Sequence, residues 1–485
     1  MKRFSLIFAL VALLVALVPV SVWALPGGTW NTGMKIQNLS ATETATIVVT
    51  LYRENGTVAY TLDKTSGGAA LQAPANGSVE LYMHNYTGVA AGKYAAMVSS
   101  TQPIGVVATQ TDYDYGLADS YNGTQGGTKL YVPYVYHAHN NWSTEIFVQN
   151  TTGTVAHVQA SISNGTITKS YSRIIPAYGM ASFDTSTAEF SELGSAFIGA
   201  AVITSTENAQ LAVMVNESRV VAAGDAKGNV LVSFRGLSVD DSGTKLVLPS
   251  LYREFSGASG TWRSGIKVQN VSSTTDAVVT VILKADPDSP SGAFTKTFPA
   301  VTIGKNGGST EFYLKNYTDI PNMFKGSAIV QSTGGEIVAM VIHTNYDGGS
   351  GYGVANGYLG IAAGATQLSV PSLYKGWASG AGTWVSGLKL QNLHTTESAT
   401  ITVNFKNDPD APNPTWTGTK SGLTLGPGES IELYLSNPIL NGGGTIPDSF
   451  KGSATITSTG GELAGTVIHT NYGRHVANMY LVIPK

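Results

Sequence analysis

The sequence predicts an all-β protein: four tandem antiparallel β-sandwich domains in an elongated array. Three observations predict it. The pattern Trp-x6-Gln-Asn occurs four times, as Trp30…Gln37-Asn38, Trp142…Gln149-Asn150, Trp262…Gln269-Asn270 and Trp384…Gln391-Asn392. The tryptophans stand 112, 120 and 122 residues apart. Solenoid repeats run about 20–50 residues, whereas whole domains run roughly 100–150. Finally, each copy holds short runs of alternating polar and apolar residues, separated by turn residues about every 8–12 positions, as in a sandwich. A four-bladed propeller would need only about 40–50 residues per blade.

Residues 1–24 read as an export signal. Lys2-Arg3 are positive, Phe4 to Val18 are almost wholly apolar, and Val22-Trp23-Ala24 offers a cleavage site. The apolar run is short for a spanning helix of roughly 20 residues.

Each copy then opens on its Trp-to-Asn strand. The next strand is clearest in the fourth copy, where Thr400-Ile401-Thr402-Val403-Asn404-Phe405 alternates. Side chains along a strand point to opposite faces, so Ile401, Val403 and Phe405 are expected in a core. Ile47, Val49 and Leu51 are their counterparts in the first copy, and Val279, Val281 and Leu283 in the third. Asn55-Gly56 and Asn164-Gly165 are hairpin turns, since both residue types tolerate positive φ. The third and fourth copies instead insert Asp286-Pro287-Asp288-Ser289-Pro290 and Asp408-Pro409-Asp410-Ala411-Pro412. A further turn precedes Ser78–Tyr82 and its equivalents, and a hairpin such as Ser327–Ser332 with Ile337–Ile342 closes the unit. Ser186 to Leu193 is the one short helical candidate.

A second marker, Leu130-Tyr131-Val132-Pro133, recurs at 246–249, 368–371 and 481–484. Read as the last strand of each copy, it sets boundaries at 25–133, 134–249, 250–371 and 372–485. The first copy lacks the Leu-Tyr segment that opens the others. Either that segment is only a linker, which a terminal copy does not need, or the first sandwich has an unfilled edge, open to a partner or to a homo-oligomer by edge-strand pairing.

Net charge is −3 and charged residues are 12%, so no broad field points to nucleic acid or anionic membrane. The chain contains no cysteine, which excludes disulfides and thiolate chemistry. No catalytic motif is present. His343 and His469 recur in Val-Ile-His-Thr-Asn-Tyr but are replaced in the sister copies. His137-Ala138-His139 offers two imidazoles without a third ligand. Asp286, Asp288, Asp408 and Asp410 are candidate hard-oxygen ligands for Ca²⁺, although calcium wants six to eight oxygens. Trp377, Trp416 and the loop with Tyr113, Tyr115, Tyr121, Asp112, Asp114 and Asp119 are candidate sugar-stacking aromatics.

The Trp…Gln-Asn opening, the alternating Thr/Val strand and the Pro-Gly turn resemble the tandem immunoglobulin-like or fibronectin-like repeats of bacterial secreted and cell-surface proteins. The resemblance implies an Ig-like fold and a secreted or surface role as a non-enzymatic structural or adhesive protein. Expected partners are cell-surface or extracellular-matrix components, glycans among them. The alternative is a carbohydrate-binding array or an accessory subunit of a secreted hydrolase.

Overall fold

The computed structural model describes residues 29–221, 228–257, 260–346, 353–378, 382–436, 440, 444–471 and 473–485. The expected export signal lies outside them. The regular structure described is almost all antiparallel strand, with four short 3-10 helices among the described residues, and no described sheet closes into a barrel.

The second repeat shows the plan. One sheet runs Met180–Asp184, Trp142–Asn150, Leu211–Arg219, Val230–Arg235. The other runs Thr168–Ile175, Ala156–Ser163, Phe197–Ser205, Lys129–His137. Ile146, Val148 and Val215 from the first share a core with Val158, Ile162 and Ile203 from the second. The third repeat follows the same plan. In the fourth the two sheets join through Gln367–Ala378 and Thr383–Asn392. The alternating strands behave as expected: Ile401 and Val403 are fully buried, while Thr400 and Asn404 face solvent. The Ser186–Leu193 candidate is a 3-10 helix over Ala188–Leu193.

The Leu-x-Val-Pro marker is corrected by the pairing. Pro133 lies inside the strand Lys129–His137, Pro249 inside Lys245–Arg253 and Pro371 inside Gln367–Ala378. Each strand pairs with the repeat that follows it in sequence. The boundaries expected at 133/134, 249/250 and 371/372 therefore fall within continuous strands. Each proline sits at a register shift, between Val132 and Val135, Leu248 and Leu251, or Val370 and Leu373. A bulge asks no ladder bond of its unpaired residue, so a residue without an N–H is tolerated there. The fourth marker differs: Leu481 ends the strand Val476–Leu481, and Pro484 and Ile483 pair back onto Leu368 and Ser369.

The elongated array is also corrected. The last strands of the four repeats are Leu117–Asn122, Val230–Arg235, Val354–Leu359 and Val476–Leu481. They pack in a cycle: first on second, second on third, third on fourth, and fourth on first. In a rod the first and fourth repeats would not meet. Here the cores run together, since Val107 of the first repeat belongs to the core of the fourth, and Met479 of the fourth to that of the third. Asp119, fully buried, ties three repeats. It accepts bonds from Ser120 N at 2.8 Å, Ser233 N at 2.6 Å and Met479 N at 3.0 Å. Burial still holds its carboxyl well above the usual range, although these three amides pull the other way. Asn122 completes the seam, accepting from Leu481 N at 2.9 Å and donating to Leu481 O at 2.8 Å.

Candidate functional site: the contacts between repeats

One face recurs on every repeat and is built by strand pairing. In the first, Lys35 lies opposite Glu80 and Gln37 opposite Ser78. In the fourth, Lys389 lies opposite Glu432 and Gln391 opposite Ser430. In the third, Lys267 lies opposite Glu311 and Gln269 opposite Ser309. The second departs, with Phe147 opposite Ser182 and Gln149 opposite Met180. Residues two apart on a strand share a side, and their cross-strand partners complete the patch.

Each patch meets another repeat. Lys35 pairs with Asp408 in a buried ion pair, and Ser78 Oγ donates to Asp408 Oδ1 at 2.7 Å. Glu80 meets Lys451 at 2.5 Å, and Gln37 Nε2 donates to Ala454 O at 3.3 Å. The patch of the fourth repeat meets the third in the same way. Lys389 and Ser430 both bind Asp286, and Glu432 stands 3.6 Å from Lys325. Toward the second repeat no aspartate is offered. There Tyr134 OH donates to Glu311 at 2.9 Å, the Lys267 ammonium lies 5.6 Å from the Tyr134 ring centre, and Gln269 Nε2 donates to Ala201 O at 3.1 Å. Between the second and first repeats, Lys93 lies 4.7 Å from the Phe147 ring centre and pairs with Glu145 at 3.0 Å. Tyr178 stacks on Tyr52 at 5.5 Å, and Met180 N donates to Glu54 O at 3.1 Å.

The electrostatics follow the partner supplied. Burial works against the Lys35 ammonium, but Asp408 and then Glu80 outweigh it and hold its pKa above the ordinary value. Burial wins at Lys267 and lowers it, with Glu311 and Glu217 opposing. Glu217 is fully buried, neither of its oxygens has a hydrogen-bond partner among the described residues, and burial pushes its carboxyl well up.

The four candidate calcium ligands separate into two roles. Asp286 and Asp408 are buried against the lysines above. Asp288 and Asp410 are exposed and pair with Lys325 at 2.8 Å and Lys451 at 2.7 Å. Among the described residues no three His, Asp or Glu gather as a metal set. His137 and His139 do not share a strand face, because Ala138 turns with φ of 50°.

The repeated motif has a structural division of labour. Trp142, Trp262 and Trp384 are buried, each beside a tyrosine of its own repeat, Tyr136, Tyr252 or Tyr374. Trp30 is half-buried and packs on Leu117 and Leu231. The asparagines are all fully buried loop clasps. Asn38 Nδ2 donates to Glu43 O and Ala73 O, Asn150 to Thr154 O and Pro176 O, Asn270 to Thr275 O and Ile303 O, and Asn392 to Glu397 O and Gly426 O. Gln37 and Gln269 reach a neighbouring repeat as described. Gln391 donates within its own repeat, to Gly428 O at 3.4 Å, and Gln149 Nε2 has no partner among the described residues.

His343 and His469 are buried; burial lowers them to about 3 and about 4, so both are neutral at pH 7. His343 Nδ1 lies 2.8 Å from Ser264 Oγ, and His469 Nε2 3.1 Å from Ser372 O. The candidate sugar platform disperses. Trp416 packs on Phe450, Trp377 lies under Lys451, Tyr113 lies under Arg474, and of that loop's tyrosines only Tyr115 is exposed. A cavity of ≈ 350 Å³ lies between the third and fourth repeats, lined by Lys245, Leu393, His394 and Glu462 among others.

Sequence reasoning missed Lys35, Lys267 and Lys389, although each stands two residues before the motif glutamine. It also missed the Ser-x-Glu that follows the turn.

No family model and no curated protein matches the chain. Among solved structures, the tetra-tandem repeat in the extending region of a large adhesion protein aligns over 94% of this chain and 95% of that one. The identity is 14% and the TM-score 0.11, a likeness too slight to bear on function.

Proposed function

We propose that the protein is a non-enzymatic structural or adhesive scaffold of the cell exterior, in which four Ig-like sandwiches form one closed unit. Units of 29–128, 129–244, 245–366 and 367–485 respect the strands described above. One observation carries the reading: Asp286, Asp288, Asp408, Asp410, His343 and His469, the main candidates for chemistry, lie in contacts that hold strands and repeats together. Fold alone says nothing of the ligand, and the locks explain the aspartates without a metal. The weakly charged surface and the expected export signal support the exterior. No described helix is long and apolar enough to cross a membrane. Antibody labelling of intact producing cells, with assay of the medium, tests the reading. Surface or medium antigen is expected, and antigen confined to the cell interior would overturn it.

A further inference from the structure

Three repeats seat an opening strand, and among the described residues the first has none. Phe197–Ser205 is flanked by Ala156–Ser163 and Lys129–His137, Phe324–Gly334 by Ala277–Ala285 and Lys245–Arg253, and Phe450–Thr459 by Ala399–Asn407 and Gln367–Ala378. The equivalent strand of the first repeat, Ala95–Ser100, pairs with Ala45–Tyr52 and with no other described strand. Register makes Ala96, opposite Leu51, the counterpart of Ala328 opposite Leu283 and Ala454 opposite Phe405. Ala328 and Ala454 are buried; Ala96 and its neighbour Met97 are exposed. This edge carries no charge, no proline and no bulge, the devices that ordinarily protect a free edge.

A second observation marks the same place. Tyr358 and Tyr480, on the last strands of the third and fourth repeats, each bond the residue after the opening-strand proline. Tyr358 OH donates to Ser250 O at 2.6 Å and accepts from Ser250 N at 3.0 Å. Tyr480 OH donates to Ser372 O and accepts from Ser372 N at 3.1 Å. Tyr121 holds the equivalent register, opposite Ala108 as Tyr358 is opposite Val341 and Tyr480 opposite Val467. Its hydroxyl has no hydrogen-bond partner among the described residues. The edge also continues an existing contact. The strands Lys129–His137, Lys245–Arg253 and Gln367–Ala378 each rest on two strands of a neighbouring repeat as well as their own.

We propose that the edge Ala95–Ser100 accepts an antiparallel strand from a different polypeptide, of the apolar Leu-x-Val-Pro-Ser-Leu-Tyr type, whose post-proline backbone meets Tyr121. Among the described residues a second copy has no such strand to spare, because all three are paired within the molecule. β-Augmentation of this kind draws affinity from main-chain bonds and specificity from alternate side chains. The inference deepens the scaffold reading, which supplies the reason to recruit a partner, but the edge is tested independently of where the protein resides.

The probe is a labelled peptide copying residues 367–376, with a control peptide carrying aspartate in place of its valine and second leucine. The receptor is the chain from Leu25 onward. Saturable binding of the first peptide and none of the control is expected. Tyr121→Phe should weaken it roughly five- to tenfold, the effect of losing the hydroxyl's bonds. Ala96→Pro should abolish it by blocking the edge. Hydrogen exchange at residues 96–99 should slow only when peptide is present. Absence of binding, or binding indifferent to Tyr121→Phe, overturns the proposal. So does protection of those amides in the peptide-free full chain, which would mean that the chain's own segment fills the edge, or protection that appears only on dimerisation.

Discussion

Two of the four contacts between repeats are built on a buried lysine–aspartate pair, and two are not. Where the third and fourth repeats insert Asp-Pro-Asp, the facing patch carries Lys389 or Lys35, with Ser430 or Ser78 on the other carboxylate oxygen. Where the second repeat offers no aspartate, Lys267 rests on the Tyr134 ring and its pKa falls. Where the second repeat itself supplies the patch, the lysine has become Phe147, and a lysine of the first repeat covers it. The lesson is one of matching. A buried ammonium is kept beside an anion, shared with a ring, or removed, because a lone buried charge is expensive.

The largest effect should come from breaking one lock on one side. Asp408→Ala leaves the Lys35 ammonium buried without its partner and should cost about 3–5 kcal/mol in chemical denaturation. Replacing both partners, as Lys35→Met with Asp408→Leu, should cost much less. A single variant no worse than the double would break the comparison. Next in size is Asp119→Ala, which leaves Ser233 N and Met479 N without their acceptor and should cost about 2–3 kcal/mol. A smaller, pH-dependent effect belongs to Glu217. Its folded pKa lies above the unfolded one, so the unfolded chain releases the proton first and stability falls as pH rises above about 4.5. Glu217→Gln should therefore raise the melting temperature more at pH 8 than at pH 4.5. An equal change at both would remove Glu217 as a titrating group.

The buried imidazoles act in the opposite sense. With folded values of about 3 and about 4 for His343 and His469, the unfolded chain binds more protons below about 6.5. Their share of the stability is present above that value and lost as pH falls toward 4. A melting temperature lower at pH 4.5 than at pH 7, with the gap narrowed in His343→Asn, is the expected result. The smallest effect should be that of EDTA. Asp286 and Asp408 hold lysines, so chelation should leave the melting temperature unchanged, and a fall would restore calcium to these carboxylates.

Much of this was legible locally. Alternation placed Ile401, Val403 and Phe405 in the core because the period of a strand is a local property. The repeated asparagines clasp loops of their own repeat, which a local motif can carry, whereas the tryptophans reach further: Trp30 packs on Leu231, and Trp384 clusters with Ala118 of the first repeat. Pro133, Pro249 and Pro371 were misread as strand ends, because a proline at a bulge and a proline at a terminus look alike in one dimension. The locks were not legible. Lys35 and Asp408 are 373 positions apart, and neither carries a local pattern that names the other. The proposed edge at Ala95–Ser100 was half legible: the sequence shows no Leu-Tyr segment just before Trp30, but the position of Tyr121 required the register of its sisters.

The central claim is that the first and fourth repeats meet. Lys485 Nζ bonds Asn76 Oδ1 across that contact, and the chain has no cysteine of its own. The most direct measurement is therefore to place cysteines at both positions, Asn76→Cys with Lys485→Cys, treat dilute monomer with a short bismaleimide, and map the products by mass spectrometry. The closed arrangement predicts one intramolecular cross-link joining the two peptides in most molecules. Two separately capped thiols in a monomer that never links would contradict it.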